Sequence, residues 1–284
     1  MKTHTQAVVA LVISILFLST SGLLIKLSSW DALALNGARS LLAAAVIWIY
    51  LRRPNFTWSR AQVGGALAYT VMLITFVQAT RWTTAANAIF LQFTAPLWVA
   101  LFGIWLLGER PQRSDWMAMA AIAFGMLLFF AEELAVTGIW GNVLAIFSGM
   151  LMALMLISLR KQKDGSPAET VLLGNLIAGI IGLPFIIFGD QPLNVTEISI
   201  ILFMGILQLG VPFIVVSLAV KELRALEMIL IQTLEPILNP IWVFIFIGER
   251  PSPMSLVGAA IVTTAVTLHA IASTRANRRR VIVS

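Results

Sequence analysis

The tetrapeptide Gly-Glu-Arg-Pro occurs twice in these 284 residues, at Gly108 to Pro111 and at Gly248 to Pro251. Each copy closes an apolar run too long for most soluble helices. The copies are offset by 140 positions, about half the chain. Without a gap, the same offset superposes Ala79 on Ala219, Ala85 on Ala225, Ile89 on Ile229, Gln92 on Gln232 and Pro96 on Pro236. The chain must therefore fold as two related halves, each a variant of one packing unit.

Composition decides the solvent. The chain is 59% hydrophobic and 11% charged, whereas ordinary soluble domains carry about 25% charged residues. No water-facing core could bury that much apolar surface, so most of it meets lipid. Ten apolar runs lie at about 7–27, 32–51, 61–80, 83–107, 114–133, 137–159, 167–189, 196–219, 225–247 and 253–273, each near the roughly 20 residues that cross a bilayer as a helix. The expected fold is an all-α integral membrane protein of ten transmembrane helices. Polar breaks such as Arg52-Arg53-Pro54-Asn55, Lys161 to Pro167 and Gly189-Asp190-Gln191-Pro192 separate the runs. The first run has the length of a signal peptide, but Ser28-Ser29-Trp30 is a poor cleavage site and a second run follows at once, so it reads as a retained span. There are no cysteines, which excludes disulfides, thiolate metal sites and Cys nucleophiles. His4 and His269 lie at opposite ends of the chain, so no metal site is expected.

The net charge of +6 sits at the ends of apolar runs rather than along a stripe, and reads as topology, not nucleic-acid binding. With the N-terminus inside, fifteen Lys and Arg residues face the cytoplasm. Only Lys26, Arg81 and Arg250 face out, and Arg39 lies within a helix. That asymmetry follows the positive-inside rule and places both termini in the cytoplasm. Five helices per half is an odd number, so the second half enters the membrane in the opposite sense. The domains are then a first repeat over 1–134, a second, inverted repeat over 135–274, and a basic cytoplasmic tail over 275–284. Inverted repeats let one set of contacts close either side of a midplane site.

Thr94-Ala95-Pro96 to Gly108-Glu109-Arg110-Pro111 and Leu234-Glu235-Pro236 to Gly248-Glu249-Arg250-Pro251, with Arg39 in the second helix, resemble the EamA family of the drug/metabolite transporter superfamily. The likeness spans essentially the whole chain. It implies ten helices, a central cavity lined mainly by helices 1, 3, 4, 6, 8 and 9, and export of amino acids or other small metabolites from the bacterial cytoplasm, with one branch exporting aromatic amino acids. Ala95 stands where Glu235 does, so the role of Glu235 is not symmetric.

Glu235 is the sharpest candidate. A charge at the bilayer centre costs at least about 2.5 kcal/mol and usually faces a cavity. Helical spacing puts Gln232, Glu235, Asn239 and Trp242 on one face. Glu235 reads either as a proton carrier or amine site, or as a structural carboxylate that caps freed backbone or pairs with Arg39. Arg39 could bind a carboxylate through its fork or brace two helices. Gln92 and Gln232, equivalent in the repeats, suit inter-helix hydrogen bonds. Asn87, Thr94 and Trp98 share a predicted face of helix 4, Thr75, Gln78 and Trp82 one of helix 3, and Ser14 and Ser21 one of helix 1; each face could line a cavity or glue helices together. Pro96, Pro184, Pro212, Pro236 and Pro240 interrupt apolar runs, and all but Pro184 are taken as hinge candidates. Gly108, Glu109, Gly248 and Glu249 belong to the repeated turn, where Glu could accept from the next helix's free N–H groups.

The function expected is secondary transport of amino acids or similar small metabolites, as export, by alternating access around a midplane cavity. Export of drugs or nucleosides on the same fold is the alternative. A membrane-embedded enzyme would need a partner for Glu235, and a channel would show ring-forming motifs. No Gly-x-x-x-x-Gly-Lys-Ser/Thr is present, so ATP is not expected to be used directly. No cofactor is expected. The expected partners are a small-molecule substrate and the lipid bilayer of the cell membrane, a bacterial inner membrane, with the protein a monomer.

Overall fold

The computed structural model describes residues 3–83, 85–130, 138–165, 167–238, 242 and 253–283. Among these the chain is helical throughout, without strands. The elements are α1 (His4–Leu18), α2 (Ser21–Leu27), α3 (Ala32–Leu51), α4 (Arg60–Trp82), α5 (Ala85–Gln92), α6 (Ala95–Leu107), α7 (Arg113–Phe130), α8 (Ile139–Lys161), α9 (Pro167–Phe188), α10 (Val195–Phe203), a π-helical segment (Met204–Gly210), α11 (Val211–Glu222), α12 (Ala225–Gln232), α13 (234–238) and α14 (Pro253–Val283). Eight stretches among the described residues are long and apolar enough to cross a membrane: His4–Leu27, Ala32–Leu51, Arg60–Trp82, Asn87–Leu107, Ile139–Lys161, Pro167–Phe188, Val195–Glu222 and Leu256–Ser273. They account for eight of the ten runs. The ninth run is described only as far as residue 238 and at Trp242, and the fifth forms the 18-residue α7.

Helix starts follow local chemistry. Asp31 accepts from the Leu33 and Ala34 N–H groups at the head of α3, Ser59 from Gln62 at α4, and Asn194 from Glu197 at α10. The first copy of the repeated motif explains itself. Gly108 ends α6 in the left-handed conformation, with φ of +69°, which only glycine adopts without strain. Glu109 does not cap α7 as its spacing suggested. Asp115 does, accepting from the Gln112 N–H at 2.8 Å, and Glu109 turns to Arg160 instead.

Packing pairs elements that are distant in sequence: α3 lies along α9, α4 along α8 and α9, α1 along α11, and α7 along α14. In a bilayer there is little hydrophobic drive between helices, so close contact needs small residues. Where α3 crosses α9, a Cβ on Gly37 would stand 2.6 Å from the Gly182 Cα, and one on Gly182 would stand 2.4 Å from the Gly37 Cα. The two backbones touch.

Three of the apolar runs predicted as single helices are interrupted. The first breaks at Ser19-Thr20, where Ser19 Oγ bonds the Leu16 carbonyl and Thr20 Oγ1 the Phe17 carbonyl. Such back-bonding competes with the helix ladder. The fourth breaks at Phe93-Thr94, where Thr94 Oγ1 bonds the Leu91 carbonyl and Pro96 offers no N–H to Gln92. The eighth widens into the π-helical segment just before Pro212. The described part of the ninth run breaks likewise, at Thr233, whose Oγ1 bonds the Leu230 carbonyl. The break in α5 and α6 also undoes the predicted common face of Asn87, Thr94 and Trp98. Pro240, Gly248, Glu249 and Asn239 lie outside the described residues.

Candidate functional site

The four interruptions surround one space. A cavity of about 60 Å³ is lined by Leu18 and Ser21 beside the first break, Gln92 beside the second, Gln208 and Leu209 in the π-helical segment, and Gln232 and Glu235 on either side of Thr233. Arg39 of α3, Met72, Leu73 and Phe76 of α4, Met152 of α8 and Phe213 of α11 complete the wall. This volume holds about two waters and is well below the roughly 300 Å³ of a small-ligand pocket.

Those groups are held at defined points. Arg39 is buried and donates Nε and Nη2 to Asn36 Oδ1 at 3.3 and 3.0 Å. No carboxylate comes within 4.0 Å of it among the described residues, so the predicted Arg39–Glu235 pair is not formed. Ser21 lines the cavity together with Glu235. Gln92 Nε2 donates to Ser148 Oγ at 2.8 Å, and Ser148 Oγ in turn donates to the Met72 carbonyl at 3.1 Å. The Gln92 carbonyl that Pro96 leaves unmatched points at α8, where a Cβ on Gly149 would stand 2.3 Å from its oxygen. Arg39 and Glu235 thus line one small space together with the amide side chains of Gln92, Gln208 and Gln232.

Of the residues singled out from sequence, Ser21, Arg39, Gln232 and Glu235 meet here. Asn87 does not. Its Nδ2 donates to Thr83 Oγ1 and to Asn142 Oδ1, both at 3.1 Å, near the start of α8. Thr94 accepts from the Trp98 indole at 3.3 Å, and neither of these nor Gln78 lines the cavity. Pro96 and Pro212 each stand in the first turn of the helix segment after an interruption, and Pro236 three residues past Thr233. Gln208 is the residue that sequence reading missed. A signal for it exists: Gln92, Gln208 and Gln232 each have a proline four positions later, so all three glutamines combine a polar side chain with a carbonyl robbed of its helical donor.

Both ends of the bundle are tied by polar contacts. At one end Arg160 Nε meets Glu109 Oε1 at 2.9 Å and its Nη1 the Val220 carbonyl at 2.7 Å. Asp115, fully buried, accepts both Nη groups of Arg224 at 3.0 and 3.1 Å and lies 2.7 Å from His269 Nε2. His4 Nε2 lies 2.9 Å from Glu227. The two histidines, far apart in sequence, therefore line one polar pocket of about 470 Å³. At the other end Glu197 accepts from Ser28 Oγ and from the N–H and Oγ of Ser29, while Arg81 Nη2 donates to the Ser28 and Trp30 carbonyls and Lys26 to that of Thr83.

The description of the EamA-like transporter family matches residues 5–131 and again residues 139–271. The chain belongs to the EamA-like transporter family. Membership and the eight apolar spans make it a multi-pass integral membrane protein of the cell membrane, a transporter family member rather than an enzyme. Among named relatives, the threonine/homoserine exporter RhtA of Escherichia coli K12 is 27% identical over 180 residues, which is 63% of this chain and 60% of RhtA. The match thus spans less than two thirds of that relative's length. The pseudopaline exporter CntI of Pseudomonas aeruginosa is 23% identical over 239 residues, 80% of this chain and 82% of CntI. A solved crystal structure 15% identical in sequence shares the fold, with a TM-score of 0.79 over 94% of this chain and 98% of its own.

Proposed function

We propose that this EamA family member is a secondary exporter of amino acids or similar small metabolites. It works by alternating access around the central cavity, with ten spans arranged as two inverted halves, 1–134 and 135–274, and both termini cytoplasmic. One observation carries the reading: Arg39 and Glu235 line the same cavity without pairing to each other. A buried charge left without a partner is costly in a membrane, and a zwitterion between the two would answer both. A cationic drug would engage Glu235 and leave Arg39 unanswered. The named exporter RhtA supports the substrate class. A two-fold relation between the halves is supported by pairing that maps onto itself when they are exchanged: α4 with α8 corresponds to α11 with α1, while α3 with α9 and α7 with α14 correspond to themselves; the odd number of spans per half makes that relation an inverted one in this reading.

The test is counterflow in proteoliposomes loaded with one unlabelled amino acid at a time. Transient accumulation of label from outside is the expected result, and its absence with every amino acid, in folded protein, would overturn the substrate class. Glu235→Gln is expected to abolish uptake driven by a pH gradient while leaving the protein folded. Unchanged proton-driven transport in that variant would remove the proton-carrier role.

A further inference from the structure

Two acceptors in the cavity wall have no partner. Gln208 Nε2 donates to Thr20 Oγ1 at 3.2 Å, which orients its amide, and its Oε1 is left buried without a hydrogen bond. Gln232 Oε1 is likewise buried and unbonded. Both residues are 1% exposed, and both line the cavity with Glu235. Buried side-chain oxygens are nearly always satisfied, so two in one wall call for a ligand that donates. Glu235 adds a carboxylate, an acceptor bearing charge. The wall thus presents two amide oxygens and one carboxylate.

We propose that Gln208, Gln232 and Glu235 form a subsite for an unsubstituted primary ammonium group, with Arg39 receiving the carboxylate of the same molecule. An ammonium has three donors and no acceptor, which matches three acceptors. The guanidinium of Arg39, a donor set without an acceptor, is the complementary feature for a carboxylate. The three acceptors sit at interruptions of two different broken helices, the π-helical segment and the turn at Thr233. One bound ammonium would therefore bridge the two interruptions. This assignment rests on the reading of the cavity as the substrate site. It goes beyond it by requiring a free amine, so that N-acylated amino acids, hydroxy acids and nucleosides without one are rejected.

The experiment is counterflow of labelled L-threonine in proteoliposomes, competed by unlabelled L-threonine, N-acetyl-L-threonine and 3-hydroxybutyrate, with wild type, Gln208→Leu and Gln208→Glu. N-acetylation removes the charge and leaves one N–H. The expected result is that L-threonine exchanges and the two analogues compete at least about tenfold more weakly, because a site built on hydrogen bonds rejects ligands lacking them. Gln208→Leu raises the half-saturating threonine concentration by about tenfold, with an unchanged melting midpoint, and Gln208→Glu retains binding. Equal competition by N-acetyl-L-threonine, or unaltered affinity in Gln208→Leu, overturns the subsite and leaves the exporter reading standing. Exchange of 3-hydroxybutyrate without exchange of any amine also overturns it. Failure of folded protein to exchange threonine or any other free amino acid overturns the substrate class proposed above and the subsite with it.

Discussion

Single side chains in this protein differ in what they hold. Asp115 is fully buried and answers Arg224, His269 and the Gln112 N–H at once. Asn at this position removes the charge from a buried pair, and breaking such a pair costs about 3 kcal/mol or more. Glu109 makes one contact to Arg160 with its side chain about a quarter exposed, and part-exposed pairs contribute about 1 kcal/mol or less. Asp115→Asn should therefore lower the melting midpoint of purified protein well below that of Glu109→Gln, and equal shifts would show that burial does not set the difference. Gly149 tests a different force. A valine there puts its Cβ into the Gln92 carbonyl, and overpacking of this kind costs about 1–3 kcal/mol. Gly149→Val should lower the melting midpoint and reduce exchange together. A variant as stable as wild type would mean that α8 can retreat from the broken helix freely.

At the scale of elements, the interruptions matter more than the helices. Pro236→Ala restores an N–H able to reach the Gln232 carbonyl, a hydrogen bond contributing about 1 kcal/mol. The expected result is a higher melting midpoint and slower counterflow at unchanged half-saturation; unaltered exchange would show that this break is not a hinge. The breaks differ in how far sequence foretold them. Pro96 and Pro236 announce theirs, because a missing N–H is visible in the letters. Ser19-Thr20 does not, since a hydroxyl that turns back on its own helix looks the same as one that faces a neighbour. Reading 7–27 and 83–107 as continuous helices then put Asn87, Thr94 and Trp98 on a face that the real chain divides. Gln208 escaped for another reason. It has no counterpart at the 140-residue offset, where Ala68 stands, and the repeat drew attention only to residues it preserves. The end clusters were out of reach because their partners are set by packing: Asp115 and His269 stand 154 positions apart.

For the whole molecule, apolar content was enough to indicate a helical membrane protein, because lipid permits few other folds, and the resemblance carried by the doubled motif and Arg39 pointed to the EamA family. Orientation follows from charge placement and has a direct test, made simple by a chain without cysteines. Lys163, exposed between α8 and α9, and Leu193, exposed between α9 and α10, should lie on opposite sides of the membrane. In intact cells a membrane-impermeant maleimide should label Leu193→Cys and should reach Lys163→Cys only after permeabilisation. The reverse pattern would invert the assigned topology. Interlocked side chains resist rotation, as meshed gears do, and Leu41 of α3 interlocks with α9 at Gly179. The crossing of Gly37 on Gly182 does not, because neither residue has a side chain to engage. It is a plain bearing near one end of both helices, joining one helix from each half. At that point two backbones bear directly on each other, and a rotation there displaces no side chain of either glycine.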